Sequence, residues 1–172
     1  MILSDLEQQL GLQSPAGHPP VEQWHPPLSG DMDMLIRKDG VWLHEGEPIK
    51  REKLVRLFAS ILKKEGDDYF LVTPVEKWRV RVEDRPLLVN LIDRHDADIQ
   101  VVTNGGDSLL LGKEHPLKVS ELDGVRVPEV LVRNNLWARF SRNAFYRLTD
   151  LADIDEQGQA LVSSGGEVFA LD

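Results

Sequence analysis

A chain of 172 residues with 41% apolar residues is long enough to bury a core of ordinary density, as one domain or two small ones, and too apolar to be disordered. The absence of cysteine excludes a disulfide framework and thiol chemistry, and fits a reducing compartment. A formal net charge of −9 works against binding to duplex DNA or RNA, where Lys and Arg supply most of the affinity, and against an anionic membrane surface.

The start of the chain, MILSD, has no basic stretch ahead of an apolar run, so no secretory signal is expected. No apolar run approaches the roughly 18–20 residues of a membrane span, and a cytoplasmic location is expected. Ser4-Asp5-Leu6-Glu7 fits a capping box, with Leu3, Leu6 and Leu10 on one face of a short helix ending near Gly11. The next stretch holds Pro15, Pro19, Pro20, Pro26 and Pro27, which remove donors and fix φ. It reads as an extended arm that Val21 and Trp24 press onto the body.

Residues 31–37 alternate, with Met32, Met34 and Ile36 on one face and Asp31, Asp33 and Leu35 on the other, the pattern of a half-buried strand. Lys38-Asp39-Gly40 is a turn, and Val41-Trp42-Leu43 resumes the extended run as a hairpin. Residues 50–64 form the best helix, with Leu54, Leu57, Phe58, Ile61 and Leu62 at helical spacing and Gly66 closing it. Strands follow at residues 69–73, 76–83, 87–93, 98–103 and 108–111, with two more at 117–119 and 125–132. Short connections between them favour antiparallel neighbours. Residues 135–152 form a second helical segment, with Leu136, Phe140, Phe145, Leu148 and Leu151 as its apolar set. Residues 159–163 and 167–171 read as a last hairpin around Ser164-Gly165-Gly166. There is also an internal echo: Asp39-Gly40-Val41 precedes LVRLF at 54–58, and Asp123-Gly124-Val125 precedes LWARF at 136–140.

The charged residues that bear on function gather after Pro74. If Trp78, Val80 and Val82 face the core, Lys77, Arg79, Arg81 and Glu83 face away. Such a row of cations can grip a phosphate or carboxylate, Arg through its planar fork and Lys as a point charge. The competing reading is a solvated face with cross-strand ion pairs. Thr73, Glu76 and Lys77 mark the turn at the start of this row, where exposed polar groups are better functional candidates than core residues. Arg133, Asn134 and Asn135 precede the second helical segment, where free amides can hold an anion with Arg139 and Arg142 nearby; alternatively Asn134 or Asn135 merely caps that helix. Asn104-Gly105-Gly106-Asp107 either brings backbone close to a ligand, with Asn104 as a contact, or is a plain hairpin loop.

Other chemistry lacks support. His18, His25, His44, His95 and His115 form no HxH or HExxH arrangement, and His95-Asp96-Ala97-Asp98 is explained by turn chemistry. The run from Asp153 to Gly158 resembles the start of a calcium loop, but Ser164 stands where the bidentate Glu belongs, so calcium is rejected. There is no GxSxG elbow, Walker A loop or GxGxxG. Asp31 and Asp33 share a face, so a paired-carboxylate site is conceivable. No catalytic residue, metal or cofactor is assigned, and the chain is expected not to be an enzyme.

The run Phe70–Lys77, FLVTPVEK, resembles a specific motif of a bacterial family of unknown function, family 1285. Asp33-Met34, Asp39-Gly40 with Trp42, Gly46, Pro48-Ile49, Leu54-Val55 with Phe58, Val82-Glu83-Asp84, Thr103-Asn104, His115-Pro116-Leu117 and Phe145-Tyr146 fit it too, as do Pro20 and Trp24-His25-Pro26-Pro27 upstream. The resemblance covers nearly the whole chain. It implies an α+β fold of two similar small halves made by internal duplication, mostly antiparallel sheets each with a helix, the C-terminal half superficially pleckstrin-homology-like. The expected divisions are 1–28 for the N-terminal helix and arm, 29–84 for the first half and 85–172 for the second. The resemblance also implies a small anionic, nucleotide-like ligand between the halves and a role in signalling. Thr73, Glu76, Lys77, Arg79, Arg81, Asn104, Arg133 and Arg142 are the candidate contacts. Two alternatives stand beside this: a protein-interaction module using its strand edges and the Pro-rich arm, and an enzyme using Asp33, Glu76 or His115.

Overall fold

The computed structural model describes residues 18–172, so the capping-box helix expected over residues 4–10 lies outside the described residues. The chain divides into two units, the first ending at Glu83 and the second running from Asp84 to Asp172. In the first unit a single turn of 3-10 helix at Val21–Gln23 follows Pro20, where the arm was expected to be extended throughout. Then come β1 (Gly30–Ile36), β2 (Trp42–His44), β3 (Glu47–Pro48), α1 (Glu52–Ser60), β4 (Leu62–Glu65), β5 (Asp68–Val72) and β6 (Lys77–Val82). They form one sheet in the order β3-β2-β1-β6-β5-β4. Every neighbouring pair is antiparallel except β1 and β6, which run parallel.

The alternation in β1 is as the sequence predicts: Met32, Met34 and Ile36 are buried, and Asp31 and Asp33 are exposed. The helix is shorter than its apolar pattern predicts. It stops at Ser60, and Leu62–Glu65 leaves it as the edge strand β4, with Leu62 opposite Leu71. Ile61 and Leu62 are both buried, as either a helix or a strand would leave them, so spacing alone could not place the boundary. Gly66, at φ 60°, turns the β4–β5 hairpin instead of ending a helix.

The second unit opens with β7 (Leu87–His95), β8 (Asp98–Thr103), β9 (Ser108–Leu110), β10 (Leu117–Leu122), β11 (Val125–Arg133) and β12 (Leu136–Phe140). α2 (Arg142–Asp150) follows, then a small sheet of β13 (Asp153–Ile154), β14 (Ala160–Ser164) and β15 (Glu167–Ala170). The order of the large sheet is β10-β11-β12-β7-β8-β9. Read from its other edge, this repeats the first unit strand for strand: the third, second and first strands, then the sixth, fifth and fourth. The first and last strands are again the parallel pair, here β7 and β12.

The duplication therefore lies in the sheet, and the echo seen in the sequence is not its signature. Asp39-Gly40 turns β1 into β2, whereas Asp123-Gly124 turns β10 into β11, a different position in the repeat. LVRLF is helical and LWARF is β12. The helix itself has moved: α1 follows the third strand of its unit, and α2 follows the sixth.

The segment expected to be helical over 135–152 is thus a strand and then a helix. Asn134 and Asn135 have φ of 45° and 62°, the pair of positive values that a two-residue hairpin turn requires, so β11 returns as β12. The cap of α2 is Ser141, whose Oγ accepts from the Ala144 amide at 3.2 Å. Ala144 and Leu148 are its buried stripe, and it packs on β7 and β12.

Candidate functional site

β6 carries the charged row that the sequence predicts, and each cation has a carboxylate beside it. Arg79 Nη1 donates to Asp31 Oδ1 at 2.9 Å, and Arg81 Nη2 to Asp33 Oδ1 at 2.7 Å. Both pairs span β1 and β6. On the other flank, Arg79 Nε lies 3.8 Å from Asp68 Oδ2, and Lys77 donates to Glu65. Lys77 Nζ and the Arg79 guanidinium also sit over the buried Phe70 ring, 4.3 and 5.6 Å from its centre. The face is thus a ladder of matched charges.

The members of the ladder differ in exposure. Asp31, Asp33 and Asp68 side chains are 72%, 62% and 58% exposed, and Arg81 is 63% exposed. Lys77 is only 19% exposed. Its hydrogen bond to Glu65 is the main reason the Glu65 carboxyl sits below its ordinary value; burial opposes the shift and Lys63 adds to it. Lys63, not singled out from the sequence, is buried: its ammonium donates to the Trp24 carbonyl at 3.0 Å and lies 3.4 Å from His25 Nδ1 and from Glu65. It ties the Pro-rich arm to β4.

Thr73 is buried and shapes the turn that leads into β6. Its Oγ1 accepts from the Glu76 amide at 2.9 Å and the Val75 amide at 3.3 Å, while its own amide donates to the Glu76 carbonyl at 2.9 Å. Glu76 is half-buried beside this turn, and the Lys77 amide donates to Ser29 Oγ at 3.0 Å.

The remaining candidates lie in the second unit. Asn104 accepts from the Leu88 amide through Oδ1 at 3.0 Å, and its amide donates to the Leu88 carbonyl at 2.9 Å, fixing the β8–β9 loop to β7. Within that loop Thr103 Oγ1 donates to Asp107 Oδ2 at 3.0 Å, and Arg133 Nη1 donates to Asp107 Oδ1 at 2.8 Å. Arg133 ends β11 at the asparagine turn, so it does not stand at a helix N-terminus. Arg142 is the first residue of α2 and is exposed. Of the carboxylates and histidine weighed for catalysis, Asp31 and Asp33 are each paired with an arginine, and His115 Nδ1 lies 3.0 Å from the Leu131 carbonyl.

Among the described residues, a cluster of buried charge around Arg139 and Glu129 escaped sequence reasoning, which named Arg139 only as a cation near a helix start. Arg139 is 2% exposed and Glu129 is fully buried. Arg139 makes two 2.9 Å bonds to Asp84 and reaches Ser120 Oγ and the Val127 carbonyl at 2.9 Å. Arg85 holds Glu129 through two bonds of 2.8 and 2.9 Å. Burial pushes the Glu129 carboxyl up; hydrogen bonds from Arg85 and Ser120, with the charges of Arg85 and Arg139, outweigh it and hold it below its ordinary value.

A shallow groove of about 320 Å³ crosses β7 and β8, lined by Leu91, Ile92, Asp93, His95, Gln100 and Val102. Asp155 explains the calcium-like segment: its Oδ1 accepts from the Gln157 and Gln159 amides at 2.9 and 2.8 Å, closing a turn. Among the described residues no group of three or more His, Asp or Glu is placed to hold a metal, and no helix is long and apolar enough to cross a membrane.

Two α+β units of the same strand order, in tandem, define a duplicated two-domain protein. Family models assign both: residues 19–85 match the N-terminal domain, and residues 86–171 the C-terminal domain, of DUF1285, a domain of unknown function. The chain belongs to the DUF1285 family. It is similar to the crystal structure of a DUF1285 family protein from Silicibacter pomeroyi DSS-3, with 38% identity, a TM-score of 0.85, and coverage of 96% of this chain and 93% of that one. It is also similar to a DUF1285 family protein from Shewanella baltica OS155, with 30% identity, a TM-score of 0.56, and coverage of 69% of this chain and 91% of that one. No curated protein matches.

Proposed function

We propose that this protein is a cytoplasmic regulatory protein that binds a small anionic, nucleotide-like ligand, with Arg79 and Arg81 on β6 as the principal contacts. One observation carries the reading: both guanidiniums belong to one strand, and their partners Asp31, Asp33 and Asp68 are all exposed carboxylates. Exposed ion pairs of this kind contribute only about 0–1 kcal/mol, so an anion can take the place of a carboxylate at small cost. Lys77, Arg133 and Asn104 support the reading less, because each is already engaged in its own unit. Thr73 acts by shaping the turn, with Glu76 beside it, and Arg142 is a more distant candidate.

Thermal melting against a panel of nucleoside mono-, di- and triphosphates, with inorganic phosphate as control, tests this. A nucleotide should raise the melting temperature of the native chain, and Arg79→Ala with Arg81→Ala should abolish the rise. No rise with any nucleotide, or a rise unchanged in the double variant, defeats the reading.

A second reading is favoured by Leu91 and Leu110, 64% and 49% exposed on β7 and β9 beside the groove. Exposed apolar residues next to a groove suit a protein-interaction module, which predicts a stoichiometric partner from native lysate that Leu91→Asp releases.

A further inference from the structure

The β1–β6 ladder has a symmetry that anion binding does not use. Asp31 and Asp33 form a row of negative charge on β1, and Arg79 and Arg81 form a row of positive charge on the adjacent parallel strand. The rows lie side by side on an exposed sheet face, because Met32 and Met34 take the opposite face of β1. Consider a two-fold axis that lies along the strands, above the face and midway between the rows. The rotation leaves positions along the strands unchanged and swaps left for right. It therefore lays the aspartate row of one copy over the arginine row of the other, with Asp31 level with Arg79, and Asp33 within the reach that Arg81 already spans across the bulge to the Asp33 of its own copy.

We infer that this face self-associates into a two-fold dimer of this chain through four reciprocal Asp–Arg contacts. A two-fold interface must be self-complementary, and two opposite charge rows in parallel meet that demand by construction. Each arginine has donors beyond the one its own aspartate uses, and each carboxylate can accept from a second fork, so the contacts across the axis add to those within each copy. An interface of exposed charges is weak and strongly salt-dependent, which suits reversible association. The inference does not depend on a nucleotide being bound. Because both uses draw on Arg79 and Arg81, a bound anion should oppose the dimer.

Sedimentation equilibrium of the full chain tests it, at about 0.01 M and about 1 M salt, where the screening lengths are about 30 and 3 Å. The native chain should associate at low salt, with its association constant falling at least about tenfold at high salt. Two charge-reversed variants decide the geometry: Arg79→Asp with Arg81→Asp makes the face all negative, and Asp31→Arg with Asp33→Arg makes it all positive. Each should be monomeric alone, and an equimolar mixture should form a heterodimer. Should a reversed variant fail to fold by circular dichroism, Arg79→Gln with Arg81→Gln replaces it and should abolish association. A native chain that stays monomeric at low salt overturns the inference and leaves the face to a different partner. Association that persists in the variants, or a mixture that stays monomeric, overturns it equally.

Discussion

Arg139 and Asp84 meet fork to fork, Nε to Oδ2 and Nη2 to Oδ1, both at 2.9 Å, with both side chains nearly out of reach of water. Asp84 opens the second unit and Arg139 lies on its sixth strand, so the pair fixes the entering chain to the sheet. The third nitrogen, Nη1, is held by Ser120 and the Val127 carbonyl. Removing one member of such a pair strands the other in a medium that cannot solvate it. Arg139→Met should therefore destabilise the second unit by about 3–5 kcal/mol, measured by urea unfolding. Lysine keeps the charge but loses the fork, and Arg139→Lys should recover only part of the loss.

Glu129 makes the second unit sensitive to acid. Its carboxyl is held below its ordinary value in the folded state, so between the folded and unfolded values the unfolded chain binds more protons. Its contribution to stability is then complete above the unfolded value of about 4.3, and it is lost as pH falls through the lower folded value. Glu65 in the first unit acts in the same direction, though its partial exposure makes its share smaller. Glu129→Gln should lower the urea midpoint at neutral pH and flatten the acid limb of a midpoint-against-pH curve. A parallel acid limb in the variant would remove Glu129 from this role.

The turn at Asn134 and Asn135 gives a sharper local prediction. Both residues sit at positive φ, where a β-branched side chain is strained. Asn135→Val should cost about 1–2 kcal/mol, the penalty for forcing an ordinary L-residue into the left-handed region. Asn135→Gly should change stability by no more than about 0.5 kcal/mol, because glycine meets no such penalty. Thermal melting of both variants checks the contrast. Equal destabilisation would mean that the asparagine side chain, not its backbone, supports the turn.

What could be read in advance follows from how local each determinant is. Met32, Met34 and Ile36 alternate with acids in β1, and a period of two needs no knowledge of the rest of the chain. The asparagine pair was ambiguous for a physical reason: the small polar side chain that caps helices also tolerates the left-handed turn. The end of α1 was hidden because Ile61 and Leu62 satisfy a helix stripe and a buried strand equally well. The cations of β6 were legible as a row, but their partners were not, since Asp31 and Asp33 lie 48 residues from Arg79 and Arg81. The burial and pairing of Arg139 and Glu129 were invisible for the opposite reason. Charged residues are expected outside, and only the three-dimensional pairing explains their burial. The strand order showed the duplication most clearly, and strand order is what a single sequence reveals least.

Thr73 links the most specific sequence motif to the candidate site. Within FLVTPVEK it is the buried residue at which the chain leaves β5, and its hydroxyl accepts from two amides of the turn. Valine has the same shape without the acceptor. Thr73→Val should cost about 1–2 kcal/mol, less than a fully buried loss because the exposed Val75 amide can turn to water. Serine keeps the acceptor, so Thr73→Ser should retain the turn. Amide hydrogen exchange at Glu76 separates the hydrogen bond from simple packing. Protection should fall in Thr73→Val and persist in Thr73→Ser, because only the valine removes the oxygen that holds that amide. Protection kept in Thr73→Val and lost in Thr73→Ser would show that the methyl, and not the hydroxyl, governs the approach to Lys77, Arg79 and Arg81.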